Sequence, residues 1–427
     1  MNDAWDVTDG AVSVRDGRIV SVGPEPRERH DTTIDAAGGY LLPGFVQTHI
    51  HLCQTLFRGY ADDLSLMDWL RRRVWPMEAA HTPASLRAAA RLACLELLRG
   101  GTTAILTMET VHDTDVVFEA AAEMGIRATI GKCMMDADAE VPARLRERTR
   151  ASLDESLALH RRWHGAAGGR IRAAFAPRFA VSCSRELLEA VASLSAGELA
   201  LVHTHASEQR EEIDIVRRLT GLGNIEYLAA VGLATPRLCA AHCVWVDDRE
   251  QEILAAAGVK VLHCPGSNLK LGSGVAPVPE MLARGICVSL GADGAACNNH
   301  LDMFGEMRLA ATLQAMRRGP GAITARQALW MATRGGARTL GLEDAIGSVE
   351  AGKRADLILA DRNGPHLQPG PDPYSTLVYA AGPADVRMAM VDGTVVVREG
   401  THAGADAGET AAAARREARA LLARAAL

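Results

Sequence analysis

Pro43-Gly44-Phe45-Val46-Gln47-Thr48-His49-Ile50-His51 is an apolar run of strand length that ends in ionisable side chains. Seven further runs share its character, at 102–107, 127–132, 171–177, 201–206, 238–243, 260–265 and 287–293. With 44–51 they make eight, and each is followed by a longer, helix-like stretch. Regular βα alternation implies a parallel sheet, and eight units within about 300 residues imply an α/β protein built on a closed (β/α)8 TIM-type barrel.

The two ends of the chain have a different texture. Residues 11–14 face 18–22 across Asp16-Gly17, a hairpin dipeptide. The stretches 388–391 and 394–397 repeat that arrangement across Asp392-Gly393, and 355–360 is a further strand candidate. Two β-rich ends around a different middle imply one small β-sandwich domain, residues 1–42 and 348–400, flanking a catalytic barrel over 43–347. From about Glu409 the chain is rich in Ala, Arg and Glu without Gly or Pro, so 401–427 is expected to hold a C-terminal helix. The charged stretch 136–169 is expected to be helical and on the surface.

The 427 residues carry a formal charge of −6 and are 48% hydrophobic, which fits a folded chain with a large core and excludes disorder as its main state. The mild acidity is spread out, which argues against a nucleic-acid partner. No run of apolar residues is long enough to span a membrane. The start, Met1-Asn2-Asp3-Ala4-Trp5-Asp6, has no apolar signal core, so a cytoplasmic protein is expected. The nine cysteines, an odd number without a C-x-x-C pair, are expected as buried free thiols in a reducing compartment.

Several strand candidates end in polar groups: His49 and His51 on the first, His203 and His205 on the fifth with Glu208 following, His242 on the sixth and Asp293 on the eighth. In a barrel these ends converge on one mouth, where active sites sit. On a strand, residues i and i+2 share a face, so His49 and His51 can both point inward. His205 and Asp293 would complete a set of three imidazoles and one carboxylate. Such a set suits one divalent ion, zinc or alternatively iron.

The run at 43–51 resembles the opening barrel motif of the amidohydrolase superfamily. His203-Thr204-His205-Ala206-Ser207-Glu208 resembles the fifth-strand H-x-H-x-x-E motif of its deaminase branch. Ala241-His242-Cys243-Val244 and Leu290-Gly291-Ala292-Asp293-Gly294-Ala295 resemble its sixth- and eighth-strand motifs. The resemblance covers essentially the whole chain, with triazine hydrolases, methylthioadenosine/S-adenosylhomocysteine deaminases and guanine deaminases as the near groups. It implies a metal-dependent aminohydrolase, with His49, His51, His205 and Asp293 binding one ion that makes a water molecule nucleophilic near neutral pH. Asp293 would take that water's proton. Glu208, placed about one helical turn after His205, would protonate a ring nitrogen and then the leaving group. His242 would orient the water and stabilise the adduct. The bridging lysine of binuclear members, at the end of strand four, has no counterpart in 171–177, and Lys132 ends strand three.

For the substrate, Gln54 and the pair Arg178-Phe179 resemble guanine deaminase, where Gln and Arg hold a lactam edge. Adenosine-type deaminases have a histidine where Arg178 falls. On the other side, Glu78, the stretch 56–64 and 267–274 resemble methylthioadenosine-type deaminases, in which Glu78 would face ribose hydroxyls. His263 and Asn268 are candidate partners that orient the ligands. The expected partner is a small heterocycle, a guanine- or 8-oxoguanine-type or pterin-like base being favoured slightly over an adenosine-type nucleoside. The resemblance also implies a homo-oligomer, dimer or tetramer. Alternatives are a triazine-type hydrolase that expels chloride or an alkylamine, and an inactive barrel acting as a scaffold.

Overall fold

Asp16 and Gly17 adopt left-handed φ of 52° and 76°, which closes a tight hairpin between β1 (Ala11–Arg15) and β2 (Arg18–Gly23). This is the first element of a computed structural model that describes residues 4–24, 30–137 and 140–427. The first three residues of the expected acidic start lie outside the described residues. After β3 (Tyr40–Pro43) the chain enters the barrel: β4 (Phe45–Ile50), β5 (Thr102–Met108), β6 (Arg127–Met134), β7 (Ile171–Pro177), β8 (Val202–Ala206), β9 (Leu238–His242), β10 (Lys260–His263) and β11 (Cys287–Leu290). All eight pair in sequence order, each parallel to the next. Helices on the outside cover strands that are buried on both faces, which is why those strands read as near-continuous apolar runs.

The barrel closes between β11 and β4 through a few individual hydrogen bonds. Thr48 Oγ1 lies 2.8 Å from Ser289 Oγ and donates to Leu290 O at 3.0 Å, and the Asp293 N–H donates to His49 O at 3.0 Å. The register of β4 against β5 slips between Gln47 and Ile50. A bulge there re-aims the segment that carries His49, a common device beside active sites. The lower barrel is filled by small and aliphatic side chains, among them Val46, Ala104, Ala174, Ala241 and Leu262, and Leu340 and Ile346 join that cluster. Polar groups are thereby left to the upper, C-terminal end.

The terminal segments meet as expected. In an antiparallel sheet, β12 (Leu357–Ala360) lies between β3 and β13 (Val386–Val391), followed by β14 (Thr394–Arg398) and β15 (Thr401–His402). Ile19 from the β1–β2 hairpin packs with Val349 and with Leu357, Leu359 and Met388 of this sheet, forming a small second core. Arg127, at the start of β6, grips Asp356 with two hydrogen bonds of 2.6 and 2.9 Å and so ties sheet to barrel. The C-terminal helix Ala407–Ala425 starts at an Asp406 cap and packs on the helix Pro83–Arg99. The strand β15 takes the first two residues of the expected helical tail.

One expectation changes. Among the described residues of 136–169 only Thr149–Trp163 forms an α-helix. Residues ahead of it are committed to tertiary contacts instead: Glu147 takes both its oxygens to Lys132 Nζ at 2.7 Å, and Asp136 accepts from Thr149 Oγ1 and the Ser184 N–H. Residues 138–139 lie outside the described residues. No helix among the described residues is long and apolar enough to cross a membrane.

Candidate active site

His49 on β4 and His51 just beyond it turn their Nε2 atoms toward Asp293 Oδ1, at 3.3 and 3.2 Å. His205 Nε2, from β8, lies 3.3 Å from His51 Nε2. The ligand atoms of His49, His51 and His205 fall within 4.8 Å of one another, as do those of His49, His242 and Asp293. The opposite ring nitrogens are occupied. His51 Nδ1 bonds Met108 O and His205 Nδ1 bonds Arg178 O, both at 2.7 Å, while His49 Nδ1 lies 2.6 Å from His203 Nε2. These contacts orient each ring with Nε2 toward the cluster. The buried Nε2 of His49 has no hydrogen-bond partner.

Electrostatics suit a cation at this point. Burial pushes His49 down to about 4 and His205 well below the ordinary histidine value, so their lone pairs are free at neutral pH. Burial works against an ionised Asp293, yet His49 and His51 hold its carboxyl well below the usual range. Ser267 Oγ and the Gly294 N–H each donate to Asp293 at 2.7 Å. The backbone is strained at these same strand ends: Ser207, His242 and Asp293 have φ of 53°, 72° and 64°. Non-glycine residues in that region cost about 1–3 kcal/mol each and persist where surrounding structure holds a side chain in place.

Glu208 is 4% exposed, and burial raises it to about 7. Its Oε2 lies 3.6 Å from His242 Nε2, and Ser273 Oγ donates to its Oε1 at 3.2 Å. It does not sit one helical turn from His205. It stands in the loop after β8, before the helix Arg210–Thr220, where its N–H donates to Glu212 Oε2 at 2.8 Å. His242 Nδ1 pairs with Asn268 Oδ1 at 2.9 Å.

The substrate-side residues form a network that the sequence does not reveal. Arg178 Nη1 and Nη2 donate to Glu78 Oε2 and Oε1 at 2.6 and 3.2 Å, and Gln54 Nε2 donates to Glu78 Oε1 at 3.0 Å. Glu78 is 4% exposed, so it is no surface charge. The guanidinium expected to read a lactam carbonyl is thus paired with a carboxylate. Gln54, Arg178 and Phe179 line the pocket above the histidines, together with Leu66, Trp69, Leu70 and Leu271. Trp69 therefore faces the pocket, while Trp75 is fully buried.

Other residues come out differently from the sequence reading. Asn268 orients His242, but both ring nitrogens of His263 lack a partner among the described residues, and burial pushes its pKa to about 3. His203 went unassigned and touches His49 directly. The signal for it was present, since His203 and His205 are i and i+2 on one strand. Glu109 was also missed. It accepts the Leu52 and Cys53 N–H groups at 3.1 and 2.9 Å and so holds the turn after His51.

Residues 40–396 match the sequence profile of the Amidohydrolase family. The chain is 41% identical over 398 residues to a 5'-deoxyadenosine deaminase of Methanosarcina mazei, covering 93% of this chain and 90% of that protein. It is 43% identical over 394 residues to a 5-methylthioadenosine/S-adenosylhomocysteine deaminase of Desulforudis audaxviator, covering 91% and 89%. Among solved structures, an adenosine deaminase from Xanthomonas campestris with bound zinc superposes with a TM-score of 0.89 at 33% identity, covering 96% and 93%. An atrazine chlorohydrolase from Arthrobacter aurescens TC1, complexed with zinc, gives 0.91 at 28%, covering 98% and 97%.

Proposed function

The chain belongs to the amidohydrolase family and is a hydrolase acting on C–N bonds; from that premise we propose that it deaminates an adenine nucleoside whose 5' position carries no free hydroxyl. Water replaces the exocyclic amino group, ammonia leaves, and an inosine-type nucleoside remains. The observation that carries this reading over a lactam base is the Glu78–Arg178 pair. With two guanidinium nitrogens on Glu78, the fork that a guanine-type carbonyl would need is already in use. A guanine-type base therefore does not fit as the expected substrate, and the named functions of the 41–43% identical relatives agree. Glu78, oriented by Arg178 and Gln54, is then available to ribose hydroxyls. The apolar rim of Leu66, Trp69, Leu70 and Leu271 suits an uncharged 5' group such as a methyl or methylthio.

The donor set fits zinc, or iron: three imidazole nitrogens and one carboxylate, with the Nε2 of His49 buried and unpartnered. Held by His49, His51, His205 and Asp293, such an ion supplies the acidity that makes a water molecule nucleophilic near neutral pH. Asp293 accepts that water's proton. Glu208, protonated, donates its carboxyl proton to a ring nitrogen, takes the hydroxyl proton of the adduct as the carbonyl forms and passes it to the departing amine; the proton held by Asp293 then restores the carboxyl of Glu208. His242, its Nδ1 fixed by Asn268, directs Nε2 between Glu208 and Asp293, at 3.6 and 3.9 Å, and orients the attacking water.

Elemental analysis is expected to give about one divalent ion per chain. Lys132, on β6, is taken up by Glu147, and β7 offers no lysine to bridge a second ion. Two tightly held ions per chain would overturn that expectation. For the substrate, ammonia release should be fastest from 5'-deoxyadenosine or methylthioadenosine, whose 5' groups are uncharged. Faster release from guanine, or chloride release from a chlorotriazine with no nucleoside turnover, would replace this reading. All nine cysteines are free, eight of them buried, which supports a reducing compartment, the cytoplasm.

A further inference from the structure

Glu306 lies on the helix Met303–Arg318, is 2% exposed and is not part of the pocket lining. Its carboxylate accepts the Gly266 N–H at 3.0 Å and Asn298 Nδ2 at 2.8 Å. Asn298 Nδ2 also donates to Ala292 O at 2.7 Å, one residue before Asp293. Gly266 is followed directly by Ser267, which bonds Asp293, and Asn268, which bonds His242. One carboxylate therefore holds both the turn after β10 and the turn after β11. The approach is close: a Cβ on residue 266 would fall 2.4 Å from Glu306 Oε1, so a side chain there would push the Glu306 carboxylate off the Gly266 N–H. Among the described residues no Lys or Arg pairs with Glu306, and burying a carboxylate without a cation costs stability. Packing alone would be served as well by a neutral side chain.

We propose that Glu306 is a positioning residue for the deamination, fixing the 265–268 turn against the Asp293 turn so that His242 and Asp293 keep their mutual geometry. This rests on the reading above, in which those two side chains handle the water and its proton. Glu306→Gln keeps the shape but has one acceptor oxygen for two N–H donors. In the metal-loaded enzyme, amide hydrogen exchange over 264–268 should speed up by about tenfold or more. Turnover number should fall about 10- to 100-fold, as for a misplacement near 1 Å. KM and metal content should stay near wild type. Gly266→Ala attacks the same contact from the other side, so the double variant should be no worse than the poorer single one.

Unchanged exchange with unchanged kcat overturns the proposal. So does a fall in kcat that merely follows lost metal or lost folded protein, or single effects that multiply in the double variant. If the wild type releases ammonia from no nucleoside, the functional reading fails, while the exchange experiment still decides whether Glu306 braces the turn. If Glu306→Gln does not fold, Gly266→Ala alone carries the same readouts.

Discussion

Glu208→Gln is expected to keep the bound ion and the fold while losing about 10²- to 10⁴-fold in kcat, the usual worth of a positioned acid–base group. The amide fills the same space and still accepts from Ser273 Oγ, but it has no proton to give. Because burial raises Glu208 to about 7, its protonated form is well populated at neutral pH. A group that must begin the reaction protonated makes kcat/KM fall as pH rises through that value. The wild-type profile should therefore carry a descending limb near neutrality, and the Gln variant should lack it. Wild-type turnover in Glu208→Gln, or an unchanged limb, would assign the proton transfer elsewhere. Elemental analysis of the same sample shows whether the ion is still in place, since Glu208 is not among its proposed ligands.

The barrel was legible because its strands are buried on both faces and so read as eight apolar runs, each recovered to within three residues at either end. The histidine and aspartate cluster was legible for a related reason. Convergence at the C-terminal mouth follows from topology alone, so polar strand ends at 49, 51, 205, 242 and 293 had to meet. What escaped was pairing between distant residues. Arg178 and Glu78 are 100 positions apart, and a single sequence contains nothing that joins them. Read alone, Arg178 is a free fork that suits a carbonyl; read with Glu78, it is half of a buried ion pair. Glu109 and Glu306 escaped because an acid that accepts backbone N–H groups has no characteristic spacing. The placement of Glu208 failed for a local reason: Ser207 adopts a left-handed φ of 53°, which breaks the turn that a helical count assumed.

Arg178→Ala should lower kcat/KM for 5'-modified adenine nucleosides by roughly 30-fold to several-thousand-fold. The figure follows from about 2–5 kcal/mol for removing one partner of a buried charge pair, at about 1.4 kcal/mol per decade. The loss should appear in KM rather than kcat. Arg178 touches Glu78 and not the groups that move protons, so its removal leaves a misdirected, unpaired carboxylate where the ribose would bind. The same stranded charge should lower the melting temperature, because breaking a buried pair from one side costs about 3–5 kcal/mol. Arg178→Lys should rescue poorly, since an ammonium cannot span Oε1 and Oε2 as the planar fork does. Glu78→Gln should weaken nucleoside binding as well, and combining it with Arg178→Ala should cost less than the two separate losses together, because the second change removes the charge that the first exposed. A lactam-reading arginine gives a different pattern: kcat/KM would drop for guanine-like substrates and hold for nucleosides. Equal and small losses on both substrate classes would mean that Arg178 and Glu78 serve only to hold the barrel mouth together.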